Sequence, residues 1–409
     1  MVAVRQVGGE QQTRQVSGMA KASRDAIQKS LGELSLKGEG GWRRIVGSVK
    51  DDTGISGRNQ KGIRNGKKQM ADSAQEANTP GSPDTLQQMS FSFVPSRVLC
   101  AGVQLGVFAH IADGNTTAQE IARAAEASER GMRMLLDALV ACQLLIKVNG
   151  RYGLTPLAAR YLVRGRPDYM GSMLEYDPLW EGWGHLTKVV RTGTPFHRVE
   201  ERERAETFFP HLVRTLHITN REPARRAARA LGAGHPRRGL RAIDIACGSG
   251  VWGIAIAEAD PEARLTAQDF PALLSLTREY VKRHGVEDRY EFLPGDLKEV
   301  NFGENRYDLA LLGNIFHSEG ERASRDVLRR LYRALRPGGR VAIIDMVPSN
   351  DRTGPPFPVL FALNMLVNTE EGDTYTLAEY TLWLQEAGFA RVKTADIGSH
   401  SPLIIGCRD

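Results

Sequence analysis

Residues 240–250 read Leu-Arg-Ala-Ile-Asp-Ile-Ala-Cys-Gly-Ser-Gly, an apolar run that ends in an acid, Asp244, and passes into small residues at Ala246, Gly248 and Gly250. A helical pattern over 251–259 follows directly. A strand, a tight turn and a helix start in that order bring backbone and ligand together where Cβ atoms would otherwise collide. Gly248, Gly250 and Gly253 also match G-x-G-x-x-G, the dinucleotide pattern, which is weak alone. The small residues already begin at Ala246, behind a strand-end acid, and that phase suits a different nucleoside ligand better.

Further candidates stand at later strand ends. Asp269 closes Arg-Leu-Thr-Ala-Gln-Asp, 19 residues past Gly250, with Phe270 next to it. An acid there suits ribose hydroxyls. Asp296 and Leu297 close Phe-Leu-Pro-Gly-Asp-Leu, and Asn314 closes Tyr-Asp-Leu-Ala-Leu-Leu-Gly-Asn. Asp345 closes the run after Arg-Pro-Gly-Gly. His317 lies just past the strand that ends near Asn314, at the carboxyl edge where open α/β sheets bind ligands. Imidazole titrates near neutrality and is suited to take a proton from a hydroxyl.

The elements that would position these residues alternate. Strands are predicted at 240–246, 264–269, 290–294, 307–313 and 340–347, and helices near 251–259, 271–284, 321–335 and 376–387. Segments 390–397 and 402–406 close the chain as a hairpin. Alternating strands and helices of these lengths predict an α/β fold with a parallel sheet covered on both faces.

Taken together, these motifs resemble those of the class I S-adenosylmethionine-dependent methyltransferases. Within that class the chain, over roughly 87–409, is similar to the small-molecule O-methyltransferases with an N-terminal winged-helix dimerisation domain. The resemblance implies a Rossmann-like domain over 238–409 with one antiparallel strand, S-adenosylmethionine as cofactor, and a homodimer. It implies cofactor contacts from Asp244, Ala246, Gly248, Gly250, Asp269, Phe270, Asp296, Leu297 and Asn314. It makes His317 the general base, with Asp345 as helper acid. The second helper position falls on Thr374, so Glu370, close by, is the candidate substitute. Ala246 stands where the family has a glycine, a mild change since Ala is nearly as small. Gly313-Asn314 replaces a Lys-Trp of the plant branch.

The remaining chain divides into three parts. Residues 1–85 read as a disordered basic extension. The first 69 hold 14 Lys/Arg against 6 Asp/Glu and no Phe, Tyr or Pro, leaving 40 against 42 in the other 340. The basicity thus belongs to the extension, and the body has no overall pull on phosphate backbones. Met70 leads into the folded part, so a start there is an open alternative. Residues 86–165 read as a winged helix: one helical stretch over 94–111, a short helix opened by Thr117 and Glu120 as a capping box, a helix over 131–145, and a hairpin turning at Asn149-Gly150. Its candidate recognition helix offers mainly Arg130 and Arg133, so nucleic-acid binding is not expected, and the resemblance implies dimerisation instead, with apolar residues of 94–111 facing a partner. Residues 166–237 form a helical, aromatic-rich linker. The resemblance implies that this region covers the substrate pocket, with Met173, Trp180 and Trp183 as candidates to wall in a flat apolar acceptor, and, through the similar segment Leu363-Asn-Met-Leu-Val-Asn368, that Asn364 and Met365 lie beside it.

Four scattered cysteines and no ligand cluster imply neither disulfide framework nor metal. No apolar run reaches the ~18 residues of a membrane span, and the N-terminus lacks the apolar core of a secretory signal, so a cytoplasmic protein without membrane association is expected. The activity expected is methyl transfer to a hydroxyl of a small aromatic or polyketide-like metabolite. Carbon methylation, a winged-helix regulator and a silent binding protein are the alternatives.

Overall fold

The computed structural model describes residues 82–176, 178–198 and 202–409. Residues 1–81 of the extension expected over 1–85 lie outside the described residues, and its last four, 82–85, are not disordered but cap and open the first helix. Two compact units are present: 82–98, 110–138 and 147–153 form one, and 99–109, 139–146 and 154–409 the other.

The chain opens with α1 (Pro83–Phe91), α2 (Phe93–Gln104) and α3 (Val107–Ala112). The single helix expected over 94–111 is broken at Gly106, whose φ of 65° leaves the helical region. Val103, Val107, Phe108 and Ile111 of that stretch are buried within the chain, whereas Val94 and Leu105 are exposed. Leu86, Met89, Phe91 and Phe93, just before it, are exposed too.

Helix α4 (Ala118–Ala124) begins at Thr117 with both halves of the expected capping box in place. The Thr117 hydroxyl accepts from the Glu120 N–H at 3.2 Å, and the Glu120 carboxylate accepts from the Thr117 N–H at 2.9 Å. Helix α5 (Glu129–Ala141) follows, then strands β1 (Leu145–Val148) and β2 (Arg151–Leu154), which pair across the Asn149-Gly150 turn. Asp137 of α5 ties the hairpin down: it accepts from Lys147 Nζ at 2.6 Å and from the Tyr152 hydroxyl at 2.8 Å.

The second unit continues with α6 (Pro156–Tyr161), a 3₁₀ turn at Gly171–Met173, α7 (Pro178–Gly184), α8 (Leu186–Thr192) and the long α9 (Arg202–Ala230). Then come β3 (Arg241–Ile245), α10 (Val251–Ala259), β4 (Arg264–Asp269), α11 (Pro271–Arg283), β5 (Tyr290–Pro294), β6 (Tyr307–Gly313) and α12 (Phe316–Ala334). The chain ends with β7 (Leu335–Ile344), α13 (Pro356–Asn368), α14 (Leu377–Glu386), β8 (Ala390–Ala395) and β9 (Leu403–Cys407).

The strand order is β5-β4-β3-β6-β7-β9-β8, parallel except for β9. The mostly parallel sheet with one antiparallel strand is the α/β architecture expected. Side chains alternate across it. Ala242, Leu309, Leu311, Ala342 and Ile344 join one core, and Ile243, Ile245, Ala310, Leu312 and Ile343 the other. Burial on both faces is why these strands read as continuous apolar runs. From β3 the chain adds β4 and β5 on one side and β6 and β7 on the other. The carboxyl ends of β3 and β6 therefore flank a topological switch point, the place where such sheets open a ligand crevice.

Candidate active site

The loop after β3 has an unusual backbone. Ala246, Gly248 and Gly250 have φ of 48°, 54° and 72°. Glycine visits this left-handed region freely, whereas an L side chain there costs roughly 1–2 kcal/mol. Replacement of a glycine by Ala246 is therefore not mild: the change in size is small, but the backbone is strained. The loop is held by hydrogen bonds from β4 and α11. The Ala246 N–H donates to Gln268 Oε1 at 3.2 Å and the Gly248 N–H to Asp269 Oδ2 at 2.8 Å. The Gly248 carbonyl accepts from the Thr277 hydroxyl at 2.6 Å. Gln268 and Thr277 carried no motif signal, and only the fold reveals their part.

Two buried acids stand under this loop. Asp244 accepts the Gly253 N–H through Oδ2 at 2.9 Å, while its Oδ1 is buried without a hydrogen-bond partner. Burial pushes its carboxyl up to about 8, and the nearby charge of Asp269 adds to this. Asp269 accepts from Gly248 through Oδ2 and from the Phe270 N–H through Oδ1 at 2.7 Å. Burial pushes Asp269 up to about 6, against the lowering pull of those two N–H donors. Phe270, 44% exposed, is the N-cap residue of α11. Asp296 sits in a turn after β5, where Oδ1 accepts the Lys298 N–H at 2.8 Å, and Leu297 is buried beside it. An oxygen with no partner, a carboxylate with lone pairs to spare and a left-handed small-residue loop fit a polar nucleoside ligand.

At the end of β6, Asn314 adopts a φ of 59°, which Asn tolerates better than most residues. Gly313 precedes it because there is no room for a side chain: a Cβ there would lie 2.0 Å from Trp252 Nε1 of α10. Trp252 therefore fills the space beside the strand end, a contact no spacing rule foretold.

His317 is buried in the first turn of α12. That helix is kinked at Gly320 (φ 76°, ψ 162°), so a separate turn precedes the helix expected from 321. His317 Nδ1 lies 2.5 Å from Asp345 Oδ1, and its backbone N–H donates to Asp345 Oδ2 at 3.1 Å. Asp345 follows the last residue of β7 and is fully buried. The two are 28 residues apart in sequence and are brought together by the pairing of β6 with β7. The Phe361 ring of α13 packs edge-on against the imidazole, centroids 5.1 Å apart at 86°.

Glu370 is placed differently. It is half-exposed and its carboxylate pairs with Arg198 at 3.0 Å. The buried Thr374 hydroxyl donates to the Pro358 carbonyl at 3.1 Å. Among the acids considered for His317, Asp345 is the one in hydrogen-bond contact with its ring. The 369–374 segment still backs the histidine, since the Asp373 N–H donates to the His317 carbonyl at 2.9 Å.

Trp180 and Trp183 stand on α7, 43% and 37% exposed. That helix packs closely on α13: a Cβ at Gly182 would lie 3.0 Å from Val367 Cγ1. On α13, Met365 is buried and Asn364 is half-buried, accepting from Asn368 Nδ2 through Oδ1 at 3.2 Å. Met173, on the 3₁₀ turn, is half-buried. No helix among the described residues is long and apolar enough to cross a membrane.

Residues 230–390 match the model of the O-methyltransferase domain, and residues 87–164 that of the O-methyltransferase dimerisation domain. The 3-hydroxy-5-methyl-1-naphthoate 3-O-methyltransferase of Streptomyces sahachiroi is 32% identical over 328 residues, covering 78% of this chain and 92% of that protein. The tetracenomycin polyketide synthesis 8-O-methyl transferase of Streptomyces glaucescens is 30% identical over 342 residues, covering 79% and 96%. Human N-acetylserotonin methyltransferase, solved in complex with S-adenosylmethionine, superposes with a TM-score of 0.71 at 26% identity, covering 81% of this chain and 99% of that one. Fold, dimerisation-domain match and full-length relatives agree, and the chain belongs to the S-adenosylmethionine-dependent O-methyltransferase family. It is an enzyme of that class, with S-adenosylmethionine as its cofactor.

Proposed function

We propose that this enzyme methylates a hydroxyl of a planar aromatic metabolite of polyketide type, working as a homodimer with His317 as general base. The observation that carries the reading is the 2.5 Å contact between His317 Nδ1 and the buried Asp345. With Nδ1–H donating to the carboxylate, Nε2 keeps the lone pair that can take a proton from an acceptor hydroxyl. The hydrogen bond from the His317 N–H to the same carboxylate fixes the ring relative to the backbone. The cofactor, when bound, supplies a sulfonium methyl already activated for in-line displacement. The protein's part is to seat, orient and exclude water.

The cofactor seat is assigned to the 246–250 loop, with Asp269 at the ribose hydroxyls and Asp296 and Leu297 at the base. Asp244, Phe270 and Asn314 complete that seat. Trp180, Trp183, Met173, Asn364 and Met365 form the acceptor wall, which suits a flat ring system that gains from desolvation. Two relatives, one named for a hydroxynaphthoate and one for tetracenomycin polyketide synthesis, support that acceptor class. Glu370 is assigned no part in the proton transfer, since its carboxylate pairs with Arg198. The exposed apolar face of Leu86, Met89, Phe91 and Phe93 lies where the dimerisation-domain match begins, and supports pairing of two copies through that face.

Incubation with methyl-labelled S-adenosylmethionine and a panel of naphthols, hydroxyquinones and phenolic polyketides tests the reading. Oxygen-methylated products from fused-ring phenols are expected by mass spectrometry. Products methylated at carbon, or turnover confined to non-aromatic acceptors, would overturn it.

A further inference from the structure

Hydrogen bonds from β4 and α11 reach Ala246, Cys247 and Gly248 of the 246–250 loop, and Ser249, 3% exposed, is held from elsewhere. Its hydroxyl meets His217 Nδ1 at 3.1 Å. His217 belongs to α9, a helix outside the sheet's own strand-and-helix alternation. One turn earlier on the same helix face, Val213 lies against the loop: a Cβ on Gly248 would be 3.2 Å from Val213 Cγ2. So α9 packs on the loop at Val213 and bonds to it at His217.

His217 is held in one pose. It is 2% exposed, its ring stacks on Tyr280 with centroids 3.9 Å apart at 26°, and His284 lies edge-on at 5.4 Å. Burial, with the nearby His284 ring and the Arg221 and Arg283 guanidiniums adding to it and Asp168 opposing, depresses its titration to about 3. Both partners are therefore neutral at working pH, and their hydrogen bond falls in the ordinary range for neutral pairs. The loop needs such a tie, because its three left-handed residues have no repeating backbone pattern to hold them.

We infer that His217 is a positioning residue for the cofactor: through Ser249 it fixes the 246–250 loop in its ligand-ready shape. The inference rests on the assignment of that loop as the cofactor seat. The same helix also contacts the Met173 turn, and its Phe208 ring lies 5.6 Å from Tyr176. One helix thus touches both the loop and the segment assigned to the acceptor side.

Calorimetric titration of the full chain with S-adenosylhomocysteine tests this. His217→Ala and Ser249→Ala are each expected to weaken binding about tenfold, or 1.4 kcal/mol. The double variant should be no weaker than either single one, since both remove the same contact. His217→Asn, which keeps a polar atom near the Nδ1 position, should bind within threefold of wild type. Ser249→Ala removes one oxygen, so it keeps the test alive if His217→Ala fails to fold. Unchanged affinity in a well-folded Ser249→Ala, or additive losses in the double variant, would overturn the inference. Asp269→Ala serves as the reference. If it weakens binding while the 217 and 249 variants do not, only the positioning role fails. If it does not, the assignment of the seat fails and the inference with it.

Discussion

Replacement of Asp345 by Asn changes the site with almost no change in shape. The carboxylate accepts three N–H groups: His317 Nδ1–H, the His317 backbone N–H and, at 2.8 Å, the Met346 N–H. An amide offers one oxygen and one NH₂. With its oxygen kept at Nδ1, the NH₂ faces the His317 backbone N–H, donor against donor. Turned the other way, the NH₂ faces Nδ1, and the imidazole must shift its proton to Nε2, where it can no longer accept one. Either arrangement leaves a buried N–H unsatisfied, that of His317 in the first and that of Met346 in the second, and costs roughly 1–3 kcal/mol of stability. The second removes the base, worth about 10²–10⁴ in rate, or roughly 2.7–5.4 kcal/mol at 1.36 kcal/mol per tenfold. The expected result is a kcat down by that factor, with S-adenosylhomocysteine affinity within threefold of wild type. Single-turnover methyl transfer, measured beside calorimetry, separates the two. A variant that keeps kcat within tenfold would show that orientation and proximity, not base catalysis, carry the reaction.

Ala246→Gly should relieve the left-handed strain at that position and raise stability by about 1 kcal/mol in chemical denaturation, and no gain would mean the loop relaxes around Ala at no cost. Gly313→Ala drives a Cβ into Trp252 and should cost about 1–3 kcal/mol, read as a fall in melting temperature. Asp244 and Asp269 carry carboxyls raised to about 8 and about 6 in the folded chain, against about 4 when unfolded. Between those limits the folded state holds protons that the unfolded chain has released, so stability should fall as pH rises from about 4 to 8. Asp244→Asn should flatten that slope at its upper end, and an unchanged slope would refute the burial argument. Because ionised Asp269 is the better acceptor for hydroxyls, S-adenosylhomocysteine affinity should rise with pH through about 6, and a flat profile in calorimetry would exclude that role.

Much of the α/β domain was legible because its signals are local. Strands 264–269, 290–294 and 307–313 and helix 251–259 follow their predicted limits, since each is an apolar run bounded by an acid, a proline or glycines. The capping box at Thr117 and Glu120 was equally readable. What escaped depends on distant packing. The turn holding His317 was missed because Gly320 interrupts its helix. Helix α13 was missed as an element because Pro-Phe-Pro-Val-Leu-Phe-Ala-Leu is apolar all round and shows no helical period. Strand β7 starts at Leu335, before the Pro-Gly-Gly that reads as its boundary, because Leu335 pairs with Tyr307. At the candidate site, His317 and Asp345 could be singled out as candidates from the sequence, but not that Asp345 rather than Glu370 meets the ring. The left-handed backbone of Ala246 has no signature in residue size.

The central claim is that a histidine held by a buried carboxylate removes the acceptor's proton as the methyl group is transferred. It is tested most directly by single-turnover transfer from pre-bound S-adenosylmethionine to a phenol that the wild-type enzyme methylates, compared between wild type and His317→Ala. The account predicts a rate lower by about 10²–10⁴ with cofactor affinity within threefold. Equal rates in the two proteins would contradict it.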